Sequence, residues 1–384
     1  MNTLMPIPDS ATLPESPQEL AAFLGDAQAE RRTINIIGRN TKLGMAGPVT
    51  AADMTVSTAK MTRVLKYEPR DLTISVEAGL PYGELSALLA THGQMLPLDP
   101  PFAHNASIGG IVAANTSGPR RRLYGTARDM VIGMTFATIG GKLVEAGGMV
   151  VKNVAGLDIG KLMIGSFGTL AAIAGINFRV HPLPAATRTF VRRFPVAAAA
   201  EAARGALMGS ILQPMAVDVL KQDGEYRLLV QAGGSARVLD RYEQELPGFD
   251  SVEGVDEEAL WRSIRELTPT FLAAHAGGAV VRVSCAPRET LAVLESLPSM
   301  AVARAGAGVC YGYFDEAEAA LQWMRRPSPG AAVVEFSPDE VRSRAGIGEA
   351  LWPEPGTAFE TMRRVKGMFD PEGLLNRGRL FAKI

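Results

Sequence analysis

Histidine and cysteine are scarce in this chain of 384 residues, with four of the first and two of the second. Two cysteines are too few for an iron–sulfur cluster held by four thiolates or for a disulfide framework, and their spacing excludes a CxxC zinc site. Cys285 and Cys310 each lie in an apolar run, VVRVSCAP and GVCYGYF, so both are expected as inert buried thiols. His92, His104, His181 and His275 include no two at metal-pair spacing, and no metal site is expected. Charge of either sign is not in excess: the formal net charge is −1. That balance argues against a nucleic-acid or membrane-surface binder. No run of about 18 uncharged apolar residues is present, and MNTLMPIPDS shows no basic segment followed by an apolar one. Neither a transmembrane helix nor a signal peptide is expected, and the expected compartment is the cytoplasm.

What the chain has in plenty is apolar residues, at 47%, and glycine, at 40 residues. The length suits about two domains with their own cores. Glycine clusters before residue 180, where backbone must bend or approach a ligand closely. Periodicity predicts a helix over 16–30, with Ser16 as its cap, Pro17 in the first turn and Glu19 closing a capping box. TINIIGR (33–39) reads as a buried strand, Met54–Ser57 as another, and RDLTISVEAG (70–79) as a third with alternating burial. PYGELSALLATHG (81–93) reads as a helix, and 127–148 as a hairpin turning at Gly140-Gly141. A short helix, a glycine loop and a long strand follow over 156–184. Beyond residue 185 the pattern changes to α+β, with an antiparallel sheet and helices on one face. Residues 357–380 read as a helix and a turn-rich tail.

Three glycine-polar loops stand beside apolar strands. IIGRNTKLGMAGP brings Gly38, Arg39, Asn40, Thr41, Lys42 and Gly44 into a loop whose N–H groups suit an anion such as a diphosphate. SIGGIVAANTSGPRRR places Ser107, Ile108, Gly109 and Gly110 before the small polar residues Asn115, Ser117 and Gly118, and then three arginines. GSFGTLAAI contributes Gly165, Ser166, Gly168, Thr169 and Ile173, and Lys152 lies upstream of it. Each loop taken alone is equally an ordinary turn. Together they suit one extended ligand with a charged middle, held mainly by backbone, and a dinucleotide has that form. Arg120–Arg122 form either a solvated basic surface or a contact for a partner or a phosphate. Arg282, in a predicted strand, is either a carboxylate ligand or half of a salt bridge.

The wording of these loops, with FDPEGLLNRGR (369–379) near the end, resembles the vanillyl-alcohol oxidase and para-cresol methylhydroxylase (PCMH) superfamily of flavoproteins. PLDPPFAHNASIGGIVAANTSGPRRRLYGTARDMVIG and GGMVVKNVAGLDIGKLMIGSFGTL look most like the small flavoprotein subunits of bacterial glycolate oxidases. The resemblance implies an α+β fold: a PCMH-type FAD-binding domain of two subdomains over 1–184, an α+β cap domain over 185–350, and a tail over 351–384 that returns to the FAD domain. It implies FAD as cofactor, with the loop at 36–48 and the stretch at 107–118 on its pyrophosphate and ring edge. The 165–169 loop and Ile173 then line ribose and adenine, and Asn376 returns to the flavin. Lys152, Arg377 and Arg379 are candidates for the flavin N1–C2=O edge.

Two departures from the superfamily shape the expectation. The first loop has no histidine, so the FAD is expected to be non-covalent, with His104 the one histidine near these stretches. No HxGDGNxH-like metal motif is present, although the 2-hydroxy-acid dehydrogenases of the superfamily carry one. The implied role is therefore an FAD-bearing subunit of a glycolate oxidase. Its implied partners are the larger flavoprotein subunit and an iron–sulfur subunit, with the membrane met only through the complex and no nucleic acid. No catalytic residue is assigned. A self-sufficient flavin dehydrogenase of another substrate and a scaffold without chemistry stay open.

Overall fold

The computed structural model describes residues 6–47, 50–149, 158–327, 330–344 and 346–384. Chain contacts divide it into two compact units. One gathers residues 6–117, 126–182 and 342–384, and the other gathers 118–125 and 183–341. The architecture is mixed helix and antiparallel sheet, the expected α+β class. Among the described residues, no helix is long and apolar enough to cross a membrane.

The first unit opens with helix α1 (Pro17–Ala29), whose N-terminus is capped by the Ser16 hydroxyl accepting from the Glu19 N–H. The reciprocal half of the expected capping box is shifted by one residue: Glu19 Oε2 accepts from the Glu15 N–H at 2.9 Å. Strands β1 (Ile34–Ile37) and β2 (Met54–Ser57) then pair in parallel. Strands β3 (Val64–Glu68) and β4 (Thr73–Glu77) precede helix α2 (Tyr82–Ala90), the short strand β5 (Gln94–Met95) and helix α3 (Ile108–Ala114). The hairpin β6 (Val131–Ala137) and β7 (Leu143–Gly147) turns at Gly140-Gly141, with the Gly141 N–H on the Thr138 carbonyl. Strands β8 (Ala172–Arg179) and β9 (His181–Pro182) complete the unit's strands, and β3-β4-β8-β6-β7 form one antiparallel sheet.

Strand β4 departs from the alternating burial that its sequence suggests, since all five of its residues are buried. Its Glu77 is wholly enclosed, and Arg63 answers it through Nη2 at 2.7 Å and Nε at 3.0 Å. Helix α1 sends Leu20, Leu24 and Ala27 into a core shared with Ile34, Val56, Ala172, Leu374 and Leu375. The tail thus belongs to this unit's core. Leu375 bridges Ile34 in parallel, so the tail runs beside β1.

The second unit is built on an eight-stranded antiparallel sheet. Its strands are β10 (Ala186–Phe194), β11 (Ala216–Gln222), β12 (Glu225–Gly234), β13 (Asp250–Val252), β14 (Ala279–Ser284), β15 (Ala301–Arg304), β16 (Val309–Phe314) and β17 (Ala331–Phe336). They lie in the order β13-β10-β12-β11-β15-β16-β14-β17. Helices flank both faces rather than one. Thr189 and Phe190 are neighbours in β10 and project oppositely. Trp261, from the helix Gly254–Arg265, donates to the Thr189 hydroxyl, whereas Tyr242, from the helix Ala236–Glu245, stacks on Phe190.

The three arginines after the 107–118 stretch fall in this second unit. None of Arg120, Arg121 and Arg122 is fully exposed. Arg122 donates from Nη1 to the Pro214 carbonyl at 3.0 Å, and its stem fills the space that a side chain on Gly306 would need. Burial lowers its pKa. Arg122 thus anchors its own unit, while Arg120 and Arg121 are partly exposed beside it. Arg282 likewise is engaged within the sheet, by Glu335 at 3.1 Å and the Ser284 hydroxyl at 2.9 Å.

Candidate cofactor site

One cleft in the first unit collects three of the stretches singled out by sequence. Its empty space, open solvent at the mouth included, is about 1050 Å³. Its walls are the end of β1 with residues 38–43, the exposed edge of α3, and the loop 167–173, with Asn376 and Arg379 from the tail.

The first wall is glycine-dependent at one point. A Cβ on Gly38 would lie 2.1 Å from Ser107 Oγ, so only glycine lets β1 run this close to α3. The left-handed backbone of the loop sits instead at Asn40, with φ at 57°. Asn40 is held there by its own side chain, which donates to the Pro6 carbonyl at 2.9 Å. Among the described residues, the N–H groups of Arg39, Thr41 and Leu43 find no acceptor. The Nε of Arg39 is buried and likewise has none. Unmet donors on one short loop are what an anion-binding nest presents.

The second wall is a helix, not the loop that its glycine pair suggests. Ser107 caps α3 and accepts from the Gly110 N–H at 3.3 Å. The Ile108 and Gly109 N–H groups are already committed, to the Leu80 and Ala78 carbonyls. A Cβ on Gly109 would meet the Ala78 Cβ at 2.8 Å, so this glycine is required by packing against the turn before α2. Gly110, Ala113 and Ala114 supply the small residues that line the cleft with Ser107. This wall therefore offers a flat, small-residue face rather than a row of donors.

The third wall hangs from the end of α3. Gly165 and Phe167 donate their N–H groups to the Val112 and Ala113 carbonyls, at 3.1 and 2.9 Å. Three residues turn left-handed here: Gly165, Phe167 and Gly168. For phenylalanine that backbone is strained, and such strain concentrates at functional loops. Ser166 and Thr169 are buried with their hydroxyls spent on the loop's own carbonyls, Met163 O and Ser166 O. They shape the turn and do not line the cleft.

Asn376 binds the walls together. Its Oδ1 accepts from the Ile36 N–H at 2.6 Å. Its Nδ2 donates to the Ile36 carbonyl at 3.1 Å and to the Phe167 carbonyl at 2.6 Å. A Cβ on Gly168 would lie 2.7 Å from that Nδ2, so Gly168 is bare for Asn376 as well as for its φ of 73°. Arg379 closes the other side, donating to the Lys42 and Leu43 carbonyls while its guanidinium lies over the Phe167 ring at 5.6 Å.

The rest of the closing motif supports Asn376. Asp370 accepts from the Leu374 and Leu375 N–H groups, at 2.9 and 2.8 Å. Lys366 donates to Asp370, to the Thr169 carbonyl and to the Leu375 carbonyl. Burial lowers the Lys366 pKa. Lys366→Met is expected to lower unfolding stability by about 1–3 kcal/mol in a urea titration, because buried acceptors lose their donor.

Of the residues expected to hold the cofactor, Gly38, Arg39, Asn40, Thr41, Lys42, Ser107, Gly109, Gly110, Gly168, Ile173 and Asn376 line the cleft. Gly44 lies just past it, beside a turn closed by Met45 N–H on Lys42 O. Ile108 is fully enclosed in the core. Asn115 is the exposed left-handed cap that ends α3, and Gly165 backs against it. Ser117 is buried outside the lining, and Gly118 belongs to the second unit. Lys152 lies outside the described residues. Arg377 is exposed and His104 is exposed; neither lines the cleft. Sequence reasoning missed Phe167, Thr55, Thr58, Ala113 and Ala114. Only Phe167 left a signal, a large residue between two glycine positions.

Residues 8–147 match the FAD binding domain family. Glycolate oxidase subunit GlcE of Escherichia coli (strain K12) is 28% identical over 372 residues, covering 96% of this chain and 98% of that one. A mitochondrial D-lactate dehydrogenase (cytochrome) of Arabidopsis thaliana is 26% identical, covering 97% of this chain and 73% of its own length. Among solved structures, an alkyldihydroxyacetonephosphate synthase superposes with a TM-score of 0.70 at 18% identity, covering 95% of this chain and 76% of the other. At that identity the superposition establishes the fold.

Proposed function

We propose that this chain is an FAD-dependent oxidoreductase akin to the glycolate oxidase subunits and D-lactate dehydrogenases it resembles, and that it binds FAD non-covalently in its cleft as one subunit of a complex that oxidises glycolate and related 2-hydroxy acids. The single observation behind the subunit reading is the end-to-end likeness to GlcE, which covers nearly all of both chains. FAD supplies a two-electron acceptor for oxidation of the hydroxy acid to the oxo acid, glyoxylate from glycolate. The residues present suit the group. Arg39, Thr41 and Leu43 bring unmet donors for a diphosphate, and the small-residue face of α3 accepts a flat ring.

In this reading Asn376 and Arg379 are positioning residues. Their polar atoms are taken up by backbone carbonyls and an N–H, so they set the spacing of the walls. The described lining contains no histidine or cysteine, so it offers no imidazole base for the hydroxy acid's proton and no thiol for covalent attachment. That supports a division of labour in which the larger flavoprotein subunit handles the hydroxy acid and an iron–sulfur subunit receives electrons. The similarity to D-lactate dehydrogenases supports a second reading, a self-sufficient dehydrogenase.

The test is spectroscopic. Purified protein is expected to be yellow, and acid precipitation to release the flavin into the supernatant. Anaerobic glycolate is expected to leave the isolated chain's flavin oxidised and to bleach it once the larger flavoprotein subunit is added. Rapid bleaching of the isolated chain overturns the division of labour, and flavin that stays with the precipitate overturns non-covalent binding.

A further inference from the structure

The two cysteines are not both buried as their apolar flanks suggest: Cys310 is, and Cys285 is partly exposed. Cys310 lies in β16 opposite Val283 of β14. Cys285 stands just past the end of β14, and its N–H donates to the Gly308 carbonyl at 2.9 Å. The ladder therefore continues one step beyond the strand and sets Cys285 opposite Gly308. Cys285 and Cys310 are then diagonal neighbours on one face of the sheet. In the thiol form each S–H points to a carbonyl, Cys285 to Gly308 at 3.7 Å and Cys310 to Thr290 at 3.5 Å, and the two side chains are near enough to influence each other's ionisation. Cys310 is wholly buried, whereas Cys285 is partly exposed, so among the described residues these are an inner and an outer thiol.

We propose that Cys285 and Cys310 are a reversible redox modification site, at which exchange with a small-molecule disulfide makes an intrachain Cys285–Cys310 bond. In the first step the Cys285 thiolate attacks one sulfur of the small disulfide. A mixed disulfide forms at Cys285 and the other half leaves as a thiolate. In the second step the Cys310 sulfur attacks Cys285 Sγ and its proton passes to the departing small thiolate. The second small thiol departs, so that two protein thiols are oxidised and one small disulfide is reduced to two thiols.

The local chemistry fits these roles. The Cys310 S–H supports a thiolate on Cys285 and the Thr290 side chain adds to this, bringing the Cys285 pKa down to about 7 against the opposing pull of burial and of the Glu289 carboxylate. The same interaction and burial push the Cys310 pKa up, which leaves it protonated until its partner has reacted. Diagonal cross-strand residues stand roughly 7–8 Å apart, beyond the ~4.4–6.8 Å spanned by disulfides. Closure must draw the end of β14 inward. A bond made under that constraint is readily reduced, so the modification is reversible rather than a permanent staple.

The experiment uses the full chain, oxidised glutathione at neutral pH, and peptide mapping by mass spectrometry. The expected product is a Cys285–Cys310 cross-link that keeps no glutathione and opens with dithiothreitol. Cys310→Ala, checked for folding by circular dichroism, is expected to trap one glutathione on Cys285. Cys285→Ser is expected to leave Cys310 unmodified and to slow total thiol reaction at least about tenfold, the ratio of thiolate available near neutrality to that of an ordinary cysteine. Wild-type protein that retains glutathione on Cys285 with Cys310 free overturns the proposal, as does wild-type protein that does not react. Neither readout depends on flavin, so this proposal stands or falls apart from the functional one.

Discussion

Asn376→Ala is expected to yield protein that purifies without flavin and unfolds at lower urea concentration, by about 2–4 kcal/mol. The side chain makes three hydrogen bonds, all to backbone: Ile36 N–H, Ile36 carbonyl and Phe167 carbonyl. Truncation leaves those groups short of partners in a buried place, and each unmet buried group costs about 1–3 kcal/mol. Residue 376 also sits in the left-handed region, with φ at 39°, which asparagine tolerates better than alanine. The functional loss should exceed the loss of stability. Without Nδ2 the strained Phe167 turn loses its direct hydrogen bond to the side chain that grips β1, and the two cleft walls are expected to loosen. Asn376→Asp sharpens the test. It keeps an acceptor for Ile36 N–H but places negative oxygen against two carbonyls, so it should lose flavin as well. If both variants keep stoichiometric FAD, Asn376 does not position the cofactor walls.

The weight on Asn376 shows what the amino-acid sequence discloses and what it hides. Strands at 34–37 and 54–57, the hairpin turning at Gly140-Gly141 and the closing helix are legible because local pattern and turn chemistry agree there. The opaque places are those where a distant contact decides. Gly109 looks like bare backbone for a ligand, yet Ala78 is what demands it. Gly38 looks like a residue for a left-handed turn, yet Ser107 demands it and Asn40 makes the turn. Ser166 and Thr169 look like donors, but their hydroxyls close the loop on itself. Composition names the groups available; only the fold shows which are already taken. The arginines at 120–122 are the same lesson with charge, since Arg122 spends its guanidinium on Pro214.

Arg304→Met is expected to be the most destabilising single change in the second unit, at about 3–5 kcal/mol in urea. The register that pairs Val219 with Ala303 sets Asp218 of β11 opposite Arg304 of β15. The two form an ion pair in which Asp218 has no exposure and Arg304 has 6%. The guanidinium also lies over the Tyr311 ring at 5.6 Å. Removing the cation leaves a carboxylate enclosed without its counter-charge, and the desolvation penalty then stands uncompensated. The double variant Asp218→Leu with Arg304→Met should recover most of the loss, because a buried pair exchanged for packed apolar groups is often neutral or better. A double-mutant cycle with Asp218→Leu alone gives the coupling directly, expected at more than about 1 kcal/mol for residues in contact. If Arg304→Met alone loses less than about 1 kcal/mol, water reaches the site and the pair is not buried in solution. If the double variant is no better than the single one, Arg304 matters for its packing on Tyr311 rather than for its charge.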